Sequence, residues 1–160
     1  MKKPYLLIVG LVAIVIGIVG LSLLQIYPLK DGNSYSQTYR KNYSSIGEQI
    51  YFTAIGEKGP ITFQGGPYWL RMRGGSCAAC HGPEGKGKIP IMMSNEEAPA
   101  ITYKSLTEEE EHPPFNETRI KRAITEGIDP AGKPLDITMP RWQMSEEDLN
   151  EIIDFLKKLD

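Results

Sequence analysis

Cys77, Ala78, Ala79, Cys80 and His81 make a C-x-x-C-H run, and its two cysteines are the only ones in the chain. Two thiols separated by two residues can add across the two vinyl groups of one porphyrin edge. The next residue then aims its imidazole at the iron from the same side, which is why this spacing marks covalent attachment of haem c. Gly74, Gly75, Ser76, Ala78, Ala79 and Gly82 are all small, as they must be where backbone approaches a flat macrocycle. Three other chemistries use the same residue types. A thioredoxin-type dithiol belongs between a strand and a helix of a βαβ unit, and no strand-helix alternation surrounds this one. A zinc site would have to draw on Cys77, Cys80 and His81 or His112, but adjacent Cys80 and His81 do not converge easily on one tetrahedral ion. A structural disulfide suits an exported protein, yet it leaves His81 without a purpose.

An iron held by His81 takes a second axial ligand or keeps an open position, and that choice separates electron transfer from gas or peroxide chemistry. The other histidine, His112, lies in an acidic run beside Glu111 and Pro113. Of six methionines, Met139 stands apart: Pro140 follows it, Trp142 is near, and the surrounding loop can present a thioether in a way a helix face seldom does. Met72, Met92, Met93 and Met144 read as core filler or surface residues. His81 and Met139 are therefore the expected metal ligands, with Trp142 beside the cofactor. Arg71, Arg73 and Arg141 are the cations available to pair with haem propionates.

The elements that must position these groups are short. Ser44 to Ile55 reads as a helix with Ile46 and Ile50 on one face and Gly47 and Tyr51 four apart. Ile61 and Phe63 alternate, Gly65-Gly66 is a turn signal, and Tyr68, Leu70 and Met72 alternate again, so a β-hairpin is expected there, with a helical turn through 68–73 as its rival. Asn116 is a good cap for a helix over Glu117 to Glu126, with Gly127 as its stop. Ser145 to Asp148 resembles a capping box with Asp in the Glu position. It opens a last helix whose buried stripe is Leu149, Ile152, Ile153, Leu156 and Leu159.

From Pro4 to Leu29 no residue is charged. A helix over 5–27 would cross a hydrocarbon core of roughly 30 Å with a tyrosine at each interface. Lys2 and Lys3 favour a cytoplasmic tip over 1–4, and 28–43, rich in Ser, Asn, Tyr and Gly, reads as a tether. A cleaved signal peptide has a shorter apolar region ending in small residues, unlike Leu23-Leu24-Gln25-Ile26-Tyr27. The exported part then carries 16 basic and 20 acidic residues once Lys2 and Lys3 are taken from the chain's 18 basic ones, a net of −4. With no basic field, nucleic acid is not an expected partner.

With these residues in place, the chain resembles a class I, single-haem c-type cytochrome from about Ser44 to Leu159. The resemblance is carried by Cys77-Ala78-Ala79-Cys80-His81-Gly82, by Met139-Pro140 ahead of a last helix, and by Ile152-Ile153-Asp154-Phe155-Leu156. It implies an all-α cytochrome c fold over 44–160 around one covalently bound haem, with the first and last helices crossing at Gly47, Tyr51 and Phe155. It also implies that Pro90, nine residues past His81, offers its carbonyl to the imidazole N–H. This sequence departs from the family in placing 25 residues between Tyr51 and Cys77, an insertion of about 56–74. The implied role is electron transfer rather than catalysis. The expected protein is a membrane-anchored carrier on the periplasmic face of a bacterial inner membrane, between a quinol-oxidising complex and a terminal oxidase or reductase; a permanent haem subunit of a larger complex is the alternative.

Overall fold

The computed structural model describes residue 14, residues 43–108 and residues 113–159. The tip over 1–4, the anchor over 5–27 apart from Ile14, the tether over 28–43 apart from Tyr43, and His112 lie outside the described residues. Among the described residues no helix is long and apolar enough to cross a membrane. The chain divides into a unit over 1–34 and another over 35–160, and the second carries the fold.

Helix α1 (Ile46–Thr53) begins where Ser45, in extended conformation, accepts a hydrogen bond from the Glu48 N–H through its hydroxyl at 3.1 Å. It ends at Ala54, whose left-handed φ of 54° turns its N–H back to the Ile50 carbonyl. The C-terminal helix α6 (Glu146–Leu156) starts at Ser145, whose hydroxyl accepts from the Asp148 N–H at 3.2 Å. Glu146, Glu147 and Asp148 fill its first turn, where the helix dipole favours negative charge. The expected stripe is what α6 buries: Leu149, Ile152, Ile153 and Leu156 are all 5% exposed or less, while Leu159 packs at the edge, just past the helix.

α1 and α6 cross at Gly47. A Cβ there would lie 2.6 Å from the Glu151 carbonyl carbon and 2.9 Å from Phe155 Cβ, so only glycine permits this approach. Closing the crossing buries Ile50 and Tyr51 completely and sets the Tyr51 ring 5.2 Å from that of Phe155. Each fully buried side chain of this size contributes about 1.5–3 kcal/mol. Helix α5 (Glu117–Glu126) adds Ile120 to the same core.

The insertion differs from the sequence expectation. Strands β1 (Ile55–Gly56) and β2 (Gly59–Pro60) form a small ribbon. Strand β3 (Thr62–Gln64) pairs antiparallel not with 68–72 but with β6 (Arg141–Gln143), placing Phe63 opposite Trp142. Tyr68–Arg73 is a helix, α2, opening after Pro67. The alternation of Tyr68, Leu70 and Met72 misled because only Leu70 is inside, at 1% exposure, while Tyr68 and Met72 are 74% and 68% exposed. Gly65 and Gly66, at φ 74° and 75°, turn the chain, and Pro67 with its fixed φ then starts a helix. The Asp148 carboxylate ties the ribbon to α6 by accepting the Glu57 N–H at 3.1 Å.

Between these lie α3 (Cys77–His81), the antiparallel pair β4 (Ile89–Pro90) and β5 (Glu97–Ala98), α4 (Tyr103–Glu108) and α5 (Glu117–Glu126). α5 has its expected bounds: Asn116 Oδ1 accepts from the Arg119 N–H at 2.9 Å, and Gly127, at φ 67°, closes it. The fold is mainly helical, with three two-stranded ribbons among the described residues.

Candidate haem site

α3 is one turn long and carries the whole C-x-x-C-H run. Gly82, at φ 80°, breaks it directly after His81. The Gly82 carbonyl accepts the buried Tyr51 hydroxyl at 2.6 Å, which fastens the motif to α1. His81 is 6% exposed, and its Nδ1 lies 2.8 Å from the Pro99 carbonyl. With Nδ1–H donated there, the lone pair falls on Nε2, the nitrogen left to bind a metal.

This partner corrects the expectation for Pro90. Pro90 sits in β4 opposite Glu97 and is exposed. The β4–β5 ribbon folds the chain back, so that the Lys88 N–H meets the Ala98 carbonyl at 2.8 Å and the Gly87 N–H meets the His81 carbonyl at 3.0 Å. Pro99 is thereby delivered to the imidazole. Gly87 sits so close beneath that a Cβ would be 2.5 Å from the Pro99 oxygen. Gly87→Ala must therefore move the carbonyl that orients His81, beyond the strain of its φ of 64°. Gly132, at φ 83° with open space around it, carries the strain alone. We expect Gly132→Ala to cost about 1–2 kcal/mol and Gly87→Ala about 2 kcal/mol more, read from denaturant midpoints. Equal losses would mean that the contact with Pro99 is soft.

The thiols face one cavity of about 450 Å³, within the range of cofactor sites. Its walls are chiefly apolar, among them Leu70, Ile91, Ile120 and Leu135. Cys77, Cys80, His81, Met139 and Trp142 all line it. Burial pushes the Cys77 thiol up to about 12 and raises that of Cys80 as well. A redox-active C-x-x-C depends on the opposite, a thiol lowered toward neutrality. Burial likewise pushes His81 down, toward the neutral imidazole that ligates metals. Among the described residues, which leave out His112, no group of three His, Cys, Asp or Glu gathers. A largely apolar chamber with two neutral thiols, an oriented imidazole and a thioether fits a haem.

The methionines separate cleanly. Met139 lines the cavity, whereas Met144 packs against the core beside it. Met72, Met92 and Met93 are more than half exposed. Trp142, 2% exposed, reaches the cavity from β6 with its ring 4.9 Å from that of Phe63. Arg71 is exposed. Arg141, expected at a propionate, turns its guanidinium to backbone carbonyls of the Met139 loop instead. Pro99 and Gly87 had no sequence signal, since ribbons of two residues a strand leave no periodicity to read, and Leu70 reads only as part of a strand.

A family model for cytochrome c matches residues 47–160. The chain belongs to the cytochrome c family. This cytochrome c is thus an electron-transfer haem protein, and Cys77 and Cys80 are the pair to which its family attaches haem c. A search of curated proteins and a search of solved structures each gave no significant match.

Proposed function

We propose that this cytochrome c is a membrane-tethered carrier of single electrons on the outer face of a bacterial membrane, with one haem held covalently by Cys77 and Cys80. The iron ligands would be His81 and Met139. The observation that carries this reading is that these four side chains line a single cavity. The bound haem supplies one-electron Fe(III)/Fe(II) chemistry, with methionine ligation raising its potential relative to two histidines.

The chain's own residues keep that site fixed. Pro99 holds the imidazole by its Nδ1–H, Tyr51 anchors the end of α3, and Leu70 and Trp142, both nearly inaccessible, form part of the chamber wall. With His81 and Met139 both given to the iron, no position would remain for a substrate, as a carrier of electrons requires. The apolar run over 5–27 and the tether over 28–43 support a location at the membrane. Tethering raises the local concentration of the domain near membrane-bound donors and acceptors, a quinol-oxidising complex and a terminal oxidase or reductase, so weak contacts suffice.

The chain purified from membranes should give a haem c pyridine spectrum and a mass of the full polypeptide, 17.9 kDa, plus one haem. A polypeptide mass alone, without Soret absorbance, would overturn the reading. A second reading, a permanent haem subunit of a respiratory complex, draws on the exposed Tyr68, Met72, Met92, Met93 and Ile137. Trp69 Nε1 donates to the Met92 carbonyl at 3.0 Å and the Gly66 N–H to that of Ile137 at 3.0 Å, so these apolar residues flank one helix, α2. Extraction in mild detergent separates the two: a stoichiometric set of partners favours the subunit, and a monomer favours the carrier.

A further inference from the structure

The loop before Met139 is held from two sides. On one side Arg141 folds back over the loop it follows. Its Nη2 donates to the Leu135 carbonyl at 2.8 Å and its Nη1 to the Asp136 carbonyl at 3.1 Å and to that of Met139. The guanidinium rests on Gly127, where any Cβ would overlap it. The Leu135 N–H meets the Gly127 carbonyl at 2.7 Å, joining the loop to the end of α5. On the other side stands the insertion. β3 pairs residue for residue with β6, Phe63 packs on Trp142, and the Gly66 N–H takes the Ile137 carbonyl in the middle of the loop.

A loop without regular structure ordinarily samples many conformations, and each one that withdraws Met139 opens the iron to outside ligands. Three charge-assisted bonds from a planar fork to three carbonyls resist that motion more than neutral bonds would. We propose that Arg141 and the insertion strand Thr62–Gln64 form a two-sided brace that keeps the Met139 thioether at the haem, making Arg141 and Phe63 positioning residues for the sixth ligand. This gives the insertion a function, and it rests on Met139 being that ligand.

Imidazole added to the ferric holoprotein tests it. An outside ligand can bind only while the thioether is away, so its apparent affinity is the intrinsic affinity scaled by the open fraction. Met139→Ala supplies the intrinsic value. Loss of charge-assisted bonds, each contributing about 1.5 kcal/mol or more, should widen the open fraction at least about tenfold. Arg141→Gln should therefore bind imidazole about tenfold more tightly than the parent, Arg141→Lys should fall between, and Phe63→Ala should tighten binding severalfold from the opposite side. If all three bind imidazole as the parent does, even with lowered melting temperatures, the residues serve the fold alone and the brace is wrong. Should Arg141→Gln fail to mature, Arg141→Lys and Phe63→Ala decide the matter by the same criterion. A parent protein that already binds imidazole as tightly as Met139→Ala would overturn the ligand assignment and the brace together, which separates that failure from the brace's own.

Discussion

Met139→Ala converts a closed haem into an open one: the ferrous protein binds carbon monoxide readily and the ferric protein turns high-spin. Among the described methionines Met139 is the one lining the cavity, so its removal leaves no thioether within reach. Met72, Met92 and Met93 face outward, and Met144 belongs to the core packing. An outside ligand that had to await a rare opening then meets a permanently open site, and its apparent affinity should rise by about a hundredfold or more. The reduction potential should fall at the same time, because the thioether favours Fe(II). Met144→Ala should keep the parent spectrum and lose only packing energy, about 2–5 kcal/mol at most for a partly buried methionine. Carbon monoxide titrations of both variants check this. A Met144→Ala protein that opens while Met139→Ala stays closed would reverse the assignment.

A large loss of stability is also expected at Gly47. An alanine there sets its Cβ against the Glu151 backbone and the Phe155 Cβ. Neither neighbour is the end of a flexible side chain, so α1 and α6 must move apart. Doing so loosens Ile50, Tyr51, Ile152 and Phe155 together. Overpacking of this kind costs about 3 kcal/mol or more, whereas the better helix propensity of alanine returns only about 1 kcal/mol. The net loss is a large share of the roughly 5–15 kcal/mol that stabilises a domain of this size. Denaturant unfolding of the holoprotein measures it. A net change under about 0.5 kcal/mol would show that the helices separate freely and that the crossing is not what fixes the core.

Where side-chain type and spacing decide the outcome locally, the sequence was legible. Asn116 and Ser145 cap the helices expected of them because a side-chain oxygen satisfies a nearby N–H whatever the rest of the chain does, and Ser45 caps α1 in the same way although the sequence pattern starts that helix at Ser44. The 3.6-residue stripe of the last helix carries its own direction of burial. The crossing at Gly47, Tyr51 and Phe155 followed from the family resemblance and agrees with the observed packing. The insertion was not legible. Strands of two or three residues have no period to detect, and the partner of β3 lies some 80 residues away in β6.

The C-x-x-C-H motif of the family's haem attachment was thus written into five consecutive residues, because thiol spacing and the adjacent imidazole are properties of the chain itself. What only the tertiary structure decided was the set of long-range partners. Pro99, rather than Pro90, accepts the hydrogen bond from the imidazole N–H because a ribbon turns the intervening backbone around. Arg141 serves the methionine loop because three carbonyls converge on one guanidinium only after that loop has folded. A backbone carbonyl is the same group at every position of the sequence, so nothing but the folded path of the chain can tell which one a side chain will meet.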